Sequence, residues 1–351
     1  MKWAEELLVE TRETLRVLPP LEGTPPELAE FQRGSLIEQK VVSRKDYLSD
    51  TWCHMNASRA SRPFTFRSWS VEAPGRACTF CPGSEALTAR DVDTGGDTLR
   101  LGDHPWGLRL FPNLYPWLQG HQNIVETSSH KFTLGELDAE EEVRALRVMR
   151  ELSLRFLAGG LFPVIFKNQG FGASIFHFHW QVGALRRPPT RIYREMVVAD
   201  SFAHRWGLNM FDAIIEAERA RGVRLIVETS TLFVLAPFAP RTNGEVWLIC
   251  KGPMVNLGQC REEDLSSLAA LLVDVLKALN SELRVENLCV ALNQVPEDPA
   301  YRLHLKVLPI KSWAGAERGL EEYTVEVPPE QVAAALRPVL GGRRFVSASK
   351  P

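Results

Sequence analysis

The chain has 351 residues, 45% of them apolar and 24% charged, with 41 basic against 43 acidic side chains and a formal net charge of −2. A length of this order holds one large core or two ordinary ones, and the even balance excludes a general pull toward nucleic acid or anionic membrane, so any anion site is local. No stretch reaches the roughly 18–20 apolar residues that span a bilayer.

The charged start, M-K-W-A-E-E-L-L-V-E-T-R, reads as an amphipathic helix and not as a signal peptide, which makes the cytoplasm the expected compartment. A Pro/Glu-rich stretch (P-P-L-E-G-T-P-P-E-L) completes a helical lead-in over residues 1–38. Extended segments are expected from 39 to 69, then a turn-rich part from 73 to 95. Residues 108–111 and 122–126 read as strands, separated by P-N-L-Y-P and a glycine turn. Residues 137–156 carry apolar side chains at helical spacing behind the acidic start D-A-E-E-E, and two strands follow at 163–167 and 175–185.

The second half repeats this order: strands at 232–236 and 246–251, a helix at 262–283, then strands at 287–293 and 303–310. L-F-P-N-L-Y-P echoes L-A-P-F-A-P, and T-L-G-E-L echoes N-L-G-Q-C. Asn168-Gln169 precede His179 by the same interval that separates Asn293-Gln294 from His304. A duplication at an offset of about 125 residues accounts for all three, a period too long for a solenoid. The expected organisation is an α+β copy over 39–205, a degenerate copy over 206–325, and a helix and tail over 326–351. The copies differ in chemistry: His177, His179 and Gln181 in the first correspond to Arg302, His304 and Lys306 in the second.

Two segments carry chemistry. C-T-F-C-P-G places Cys78 and Cys81 in one tight turn, where both thiolates can face one zinc ion, although redox pairs share this spacing. In N-Q-G-F-G-A-S-I-F-H-F-H-W-Q, an extended backbone puts His177, His179 and Gln181 on one face and Phe178 and Trp180 on the other. A neutral imidazole is a competent nucleophile toward phosphorus. The glycines let backbone N–H groups and the Ser174 hydroxyl approach phosphate oxygens.

This second segment resembles the active-site signature of galactose-1-phosphate uridylyltransferases and their relatives in the histidine-triad (HIT) superfamily. C-T-F-C-P-G and I-V-E-T-S-S-H are similar to that family's zinc segments, S-R-A-S-R-P to its nucleotide-binding R-x-x-R-P, and P-N-L-Y-P to its strand-end Asn turn. The resemblance implies a tandem pair of HIT-like domains, each an antiparallel sheet with packed helices. It assigns His179 as the nucleophile, Gln181 and Ser174 as phosphate contacts, and Cys78, Cys81, His130 and His177 as ligands of a structural zinc. It places Arg59, Arg62, Asn113, Asn168, Gly172 and Ala173 around the nucleotide, with His304 and Lys306 as further candidates.

H-F-H-W-Q departs from the uridylyltransferases' H-P-H-G-Q toward the form of the nucleoside-diphosphate-hexose phosphorylases. Arg302 removes one of a histidine pair that holds a second metal in the uridylyltransferases, and Arg302 and Lys306 become candidates for neutralising phosphate. Glutamine hydrogen-bonds but does not shuttle protons. The expected activity is therefore nucleotidyl transfer from a nucleoside-diphosphate sugar or dinucleoside polyphosphate to phosphate or a sugar 1-phosphate. A nucleotide hydrolase and a catalytically silent nucleotide-binding protein are the alternatives. The expected protein is a monomer or homodimer with no nucleic-acid or membrane partner.

Overall fold

The computed structural model of the chain describes residues 2–17, 37–61, 78–102, 105–170, 173–310 and 315–341. Helix α1 (Lys2–Leu7) is followed by strands β1 (Glu10–Val17), β2 (Ile37–Lys45) and β3 (Trp52–Met55). The first repeat contains β4 (Leu99–Leu101), β5 (Leu108–Pro112), β6 (Gln119–Val125), α2 (Ala139–Ala158), β7 (Phe162–Gln169) and β8 (His179–Leu185). Helices α3 (Thr190–Trp206) and α4 (Met210–Arg221) then lead to β9 (Leu225–Glu228), β10 (Leu232–Leu235) and β11 (Val246–Cys250). The remainder is α5 (Glu262–Leu283), β12 (Leu288–Asn293), β13 (His304–Pro309), α6 (Gly315–Gly319), β14 (Glu322–Val325) and α7 (Pro329–Gly341). No helix among the described residues is long and apolar enough to cross a membrane.

The α+β expectation holds, with one correction at the start. The helical lead-in is a six-residue helix, after which the chain turns into β1 and pairs antiparallel with β2 from Glu10↔Arg44 to Val17↔Ile37. Its sequence, E-T-R-E-T-L-R-V, has few apolar residues; what holds it is the backbone ladder and an Arg44–Glu10 ion pair at 2.7 Å. β3 pairs with β14 in parallel and completes a four-stranded sheet.

The main sheet has ten strands in the order β4-β5-β6-β8-β7-β12-β13-β11-β10-β9. This order is symmetric about its centre. β5, β6, β8 and β7 approach the middle from one side; β10, β11, β13 and β12 approach it from the other. β7 and β12 pair antiparallel, from Leu288↔Gln169 to Leu292↔Ile165, so the two repeats share one sheet.

Helices α2, α5 and α7 cover one face through the largest apolar cluster, which includes Leu146, Met149, Trp180, Val182, Leu272, Leu276 and Leu305. Helix α2 starts where Asp138 accepts from the N–H groups of Glu140 and Glu141, a cap that stabilises it by about 1 kcal/mol. The other face differs between repeats. In the second it is filled by α3 and α4, with Phe211, Ile214 and Phe202 packed against Phe233, Trp247 and Ile249. In the first repeat, this is the face that carries His179 and Gln181.

Candidate active site

Strand β8 begins at His179, and its neighbours are β6 (Val125↔His179, Asn123↔Gln181) and β7 (Phe166↔Gln181). Phe178 and Trp180 turn to the helix face, where both are buried. His177 precedes the strand in a bent segment, so its ring follows a path of its own toward the cysteine turn.

That turn is closed by the Cys81 N–H donating to the Cys78 carbonyl at 3.2 Å, while the Phe80 N–H points at Cys78 Sγ at 3.4 Å. The ligand atoms of Cys78, Cys81, His130 and His177 all lie within 4.8 Å of one another. Cys81 Sγ is 3.1 Å from His130 Nδ1 and 3.6 Å from His177 Nδ1, and Cys78 Sγ is 3.8 Å from His177 Nδ1. Tetrahedral zinc bonds of about 2.3 Å to sulfur and 2.0–2.1 Å to nitrogen would separate S from N by roughly 3.6 Å. The donor set fits such an ion.

Its outer contacts fit as well. His177 Nε2 donates to the Thr127 carbonyl at 2.8 Å, which leaves Nδ1 aprotic toward the thiols. Burial, then the neighbouring Cys78, push the Cys81 thiol up to about 11, so a cation between the sulfurs is what would favour both as thiolates.

His179 is 4% exposed. Its Nδ1–H donates to the His177 carbonyl at 2.8 Å, which puts the ring's free lone pair on Nε2. Burial, reinforced by the Lys167 charge and opposed by that hydrogen bond, pushes its pKa down to about 4. The imidazole is therefore neutral near pH 7, the form whose lone pair is available. Phe80, held between the two cysteines, meets the ring edge-on at 5.1 Å and ties the cysteine turn to His179.

The other predicted residues distribute unevenly. Gln181 and Asn168 lie half-buried on neighbouring strands, and Ser174 is exposed next to Ala173, whose N–H donates to the Gly170 carbonyl at 3.0 Å. Asn113 donates to Asn123 Oδ1 at 3.1 Å, beside Gln181 in register, and its own Oδ1 accepts from the Tyr115 N–H. Arg59 lies in the 3-10 turn Ala57–Ser61 with its Nε buried and unpartnered. Arg62 and Gly172 lie outside the described residues.

The second repeat requires a correction. His304 copies the geometry of His179, with Nδ1 donating to the Arg302 carbonyl at 2.9 Å, but it is fully buried against Phe211 and Tyr301. Lys306 is also buried and bonds Glu195, which further accepts from Tyr301 and Arg191. Burial alone would raise Glu195; the Lys306 and Arg191 cations instead hold it at about 2. Arg302 is committed to Asp212 and to the carbonyls of Pro299 and Tyr301. These cations neutralise the protein's own carboxylates, because α3 and α4 fill the face on which a phosphate would have to sit.

Two polar residues of the first-repeat face were not singled out from sequence: His121 and Asn123, both buried on β6. The available signal was their period-two spacing in Q-G-H-Q-N-I-V, the same alternation that marks His179 and Gln181.

Over 87% of its length the chain is 27% identical to an ADP-glucose phosphorylase of Arabidopsis thaliana, covering 95% of that protein. A galactose-1-phosphate uridylyltransferase of Saccharomyces cerevisiae is 20% identical over 64% of this chain and 71% of its own. Both relatives are of the kind that the motifs around Cys78 and His179 resemble, the galactose-1-phosphate uridylyltransferase-like branch of the HIT superfamily. No family profile matches the chain. The uridylyltransferase-like fold is also seen in the crystal structure of the Arabidopsis ADP-glucose phosphorylase with bound ADP-glucose, at a TM-score of 0.71 and 24% identity, covering 84% of this chain and 98% of that one. A solved uridylyltransferase gives 0.65 at 21% identity, covering 86% and 99%.

Proposed function

We propose that this protein is a nucleotidyltransferase that moves a nucleoside monophosphate from a nucleoside-diphosphate sugar to phosphate or a sugar 1-phosphate through a covalent bond to His179. The observation that carries this reading is the 2.8 Å hydrogen bond from His179 Nδ1 to the His177 carbonyl, which presents a neutral, lone-pair-bearing Nε2 beside Gln181. The relatives support it: one is named for phosphorolysis of ADP-glucose, the other for uridylyl transfer.

In the first step Nε2 attacks the α-phosphorus. The bond from that phosphorus to the bridging oxygen breaks, and sugar 1-phosphate departs with the bonding pair. The ring keeps its Nδ1 proton and becomes cationic, and the His177 carbonyl already faces that proton. In the second step an oxygen of the acceptor phosphate attacks the same phosphorus and the P–N bond returns its pair to Nε2. A departing phosphate needs no proton, so Gln181, a pure hydrogen-bonding group, suffices where a hydrolase places an acid–base residue.

Gln181, Ser174 and the backbone of Ala173 are the proposed phosphate contacts, with Asn168, Asn113, Arg59, Arg62 and Gly172 around the nucleotide. Cys78, Cys81, His130 and His177 would hold zinc. With four protein ligands the ion has no position for water or substrate, and it serves to fix the cysteine turn and, through Phe80, the nucleophile. A reducing cytoplasm suits such a thiolate site.

The test is incubation with ADP-glucose labelled in the α-phosphate, and with other nucleoside-diphosphate sugars. A protein-bound label, acid-labile and base-stable, is expected; it should be released as nucleoside diphosphate on adding phosphate and be absent in His179→Asn. Labelling that survives in His179→Asn, or free monophosphate formed without an acceptor, overturns the proposal.

A further inference from the structure

His121 is a buried, titratable side chain that the mechanism above does not use. It sits where β6 carries one residue too many. Gln119 pairs with Ala184 and Gln122 with Val182, so three steps along β6 face two along β8. The bulge falls at Gly120 and His121, and Gly120 takes the left-handed φ of +60° that such a bulge exploits. A bulge re-aims the side chain beside it. Here the His121 ring comes to lie with Nε2 3.1 Å from Oε1 of Gln181.

The proton positions follow from the ring's other contact. The Trp117 N–H points at His121 Nδ1 at 3.4 Å, so Nδ1 accepts and Nε2 carries the proton. Nε2–H then donates to Gln181 Oε1. The Gln181 carbonyl oxygen is thereby held against His121, and the –NH2 group is turned the other way with both protons free to donate. The histidine is itself fixed: its carbonyl accepts from the Asn113 N–H at 2.9 Å, and the Trp117 ring meets it edge-on at 6.0 Å. A half-buried amide left to itself could present either end to a ligand. Only the –NH2 end can bond a phosphate oxygen.

We propose that His121 is a positioning residue which locks the Gln181 amide with its donor end toward the α-phosphate. This rests on the nucleotidyl-transfer reading, so the experiment separates the two. Single-turnover formation of the His179 adduct from labelled ADP-glucose would be measured in His121→Phe, His121→Gln, Gln181→Ala and His121→Phe/Gln181→Ala. His121→Phe should slow adduct formation about tenfold to a hundredfold. His121→Gln, which keeps an N–H donor, should recover part of that loss. In the Gln181→Ala background His121→Phe should cost less than about twofold, because its effect passes through the amide.

An equal loss in both backgrounds, or none in His121→Phe, overturns the positioning role while leaving nucleotidyl transfer intact. Absence of any wild-type adduct overturns the function instead. A readout independent of activity is the long-range 1H–15N spectrum of the His121 ring. The Nε2–H tautomer is expected, with its signal displaced in Gln181→Ala; an Nδ1–H tautomer or an imidazolium overturns the inference whatever the kinetics.

Discussion

On the side of the sheet opposite His179 and Gln181, between the sheet and α2, Lys167 is buried with two carboxylates. Its Nζ bonds Glu126 and lies 3.5 Å from Glu142, and the three side chains are almost wholly removed from solvent. Replacing Lys167 with Met keeps the volume and removes the only cation in this group. A buried ion pair broken on one side costs about 3–5 kcal/mol, because the remaining charge is left in a medium that solvates it poorly. Urea unfolding at pH 7 should therefore show a lower midpoint at unchanged slope. Glu126→Gln in the same chain should restore much of the loss. A Lys167→Met variant within about 1 kcal/mol of the parent would refute the reasoning.

Glu142 gives the same cluster a pH signature. Burial first, and then the Glu126 charge, raise its carboxyl from 4.5 to about 7, against the opposing hydrogen bonds of Lys167 and Trp180. Between those values the folded chain holds a proton that the unfolded chain has released. Stability from this group is thus full below pH 4.5 and is lost as pH rises through about 7, by at most about 3 kcal/mol. Glu142→Gln mimics the protonated acid and should remove that slope, stabilising the protein at pH 8 more than at pH 5. Equal slopes in the two proteins would contradict the assignment.

Metal analysis should find about one zinc per chain, lost in Cys78→Ser, with the effect falling on thermal stability more than on the rate of chemistry in whatever fraction stays folded. Gly170→Ala should destabilise by about 1–3 kcal/mol: the residue has a φ of +69°, and its new Cβ would lie 2.1 Å from Oδ1 of Asn287. Adding Asn287→Ala should return the steric part of that loss and leave the backbone part, as read from paired denaturant curves. Lys306→Met should cost about 1–3 kcal/mol by leaving Glu195 with Arg191 as its remaining cation, yet leave donor binding to the first repeat unchanged in a titration with nucleotide; weakened binding at equal folded fraction would return Lys306 to the substrate's side.

Much of the main sheet was legible because its strands are short apolar runs bounded by Pro, Gly or Asn, and because each had a counterpart about 125 residues away. Residues 108–111, 232–236 and 262–283 match β5, β10 and α5 within two residues at either end. β1 was not legible, because E-T-R-E-T-L-R-V is held by a partner strand and not by an apolar face. Nor were the buried ion groups. Lys167 on β7, Glu142 on α2 and Glu126 just past the end of β6 come together from distant parts of the chain, and Glu195 lies over a hundred residues from Lys306. Read singly, each looks like a surface charge. Cys78, Cys81, His130 and His177 are spread over a hundred positions and were grouped in advance through the family resemblance; the fold does bring them together. His121 was missed because what places it is a bulge, and a bulge exists only once two strands are paired.

The packing of α3 and α4 over β11 and β13 has a consequence for stoichiometry. Although both halves of the chain carry a histidine with its Nδ1 tied to the carbonyl two residues back, the second ring is walled in by Phe211, Tyr301 and Trp247. Saturation with a labelled donor should therefore stop at a single nucleotidyl group on each polypeptide. The two halves repeat each other in backbone, but not in what surrounds their histidines.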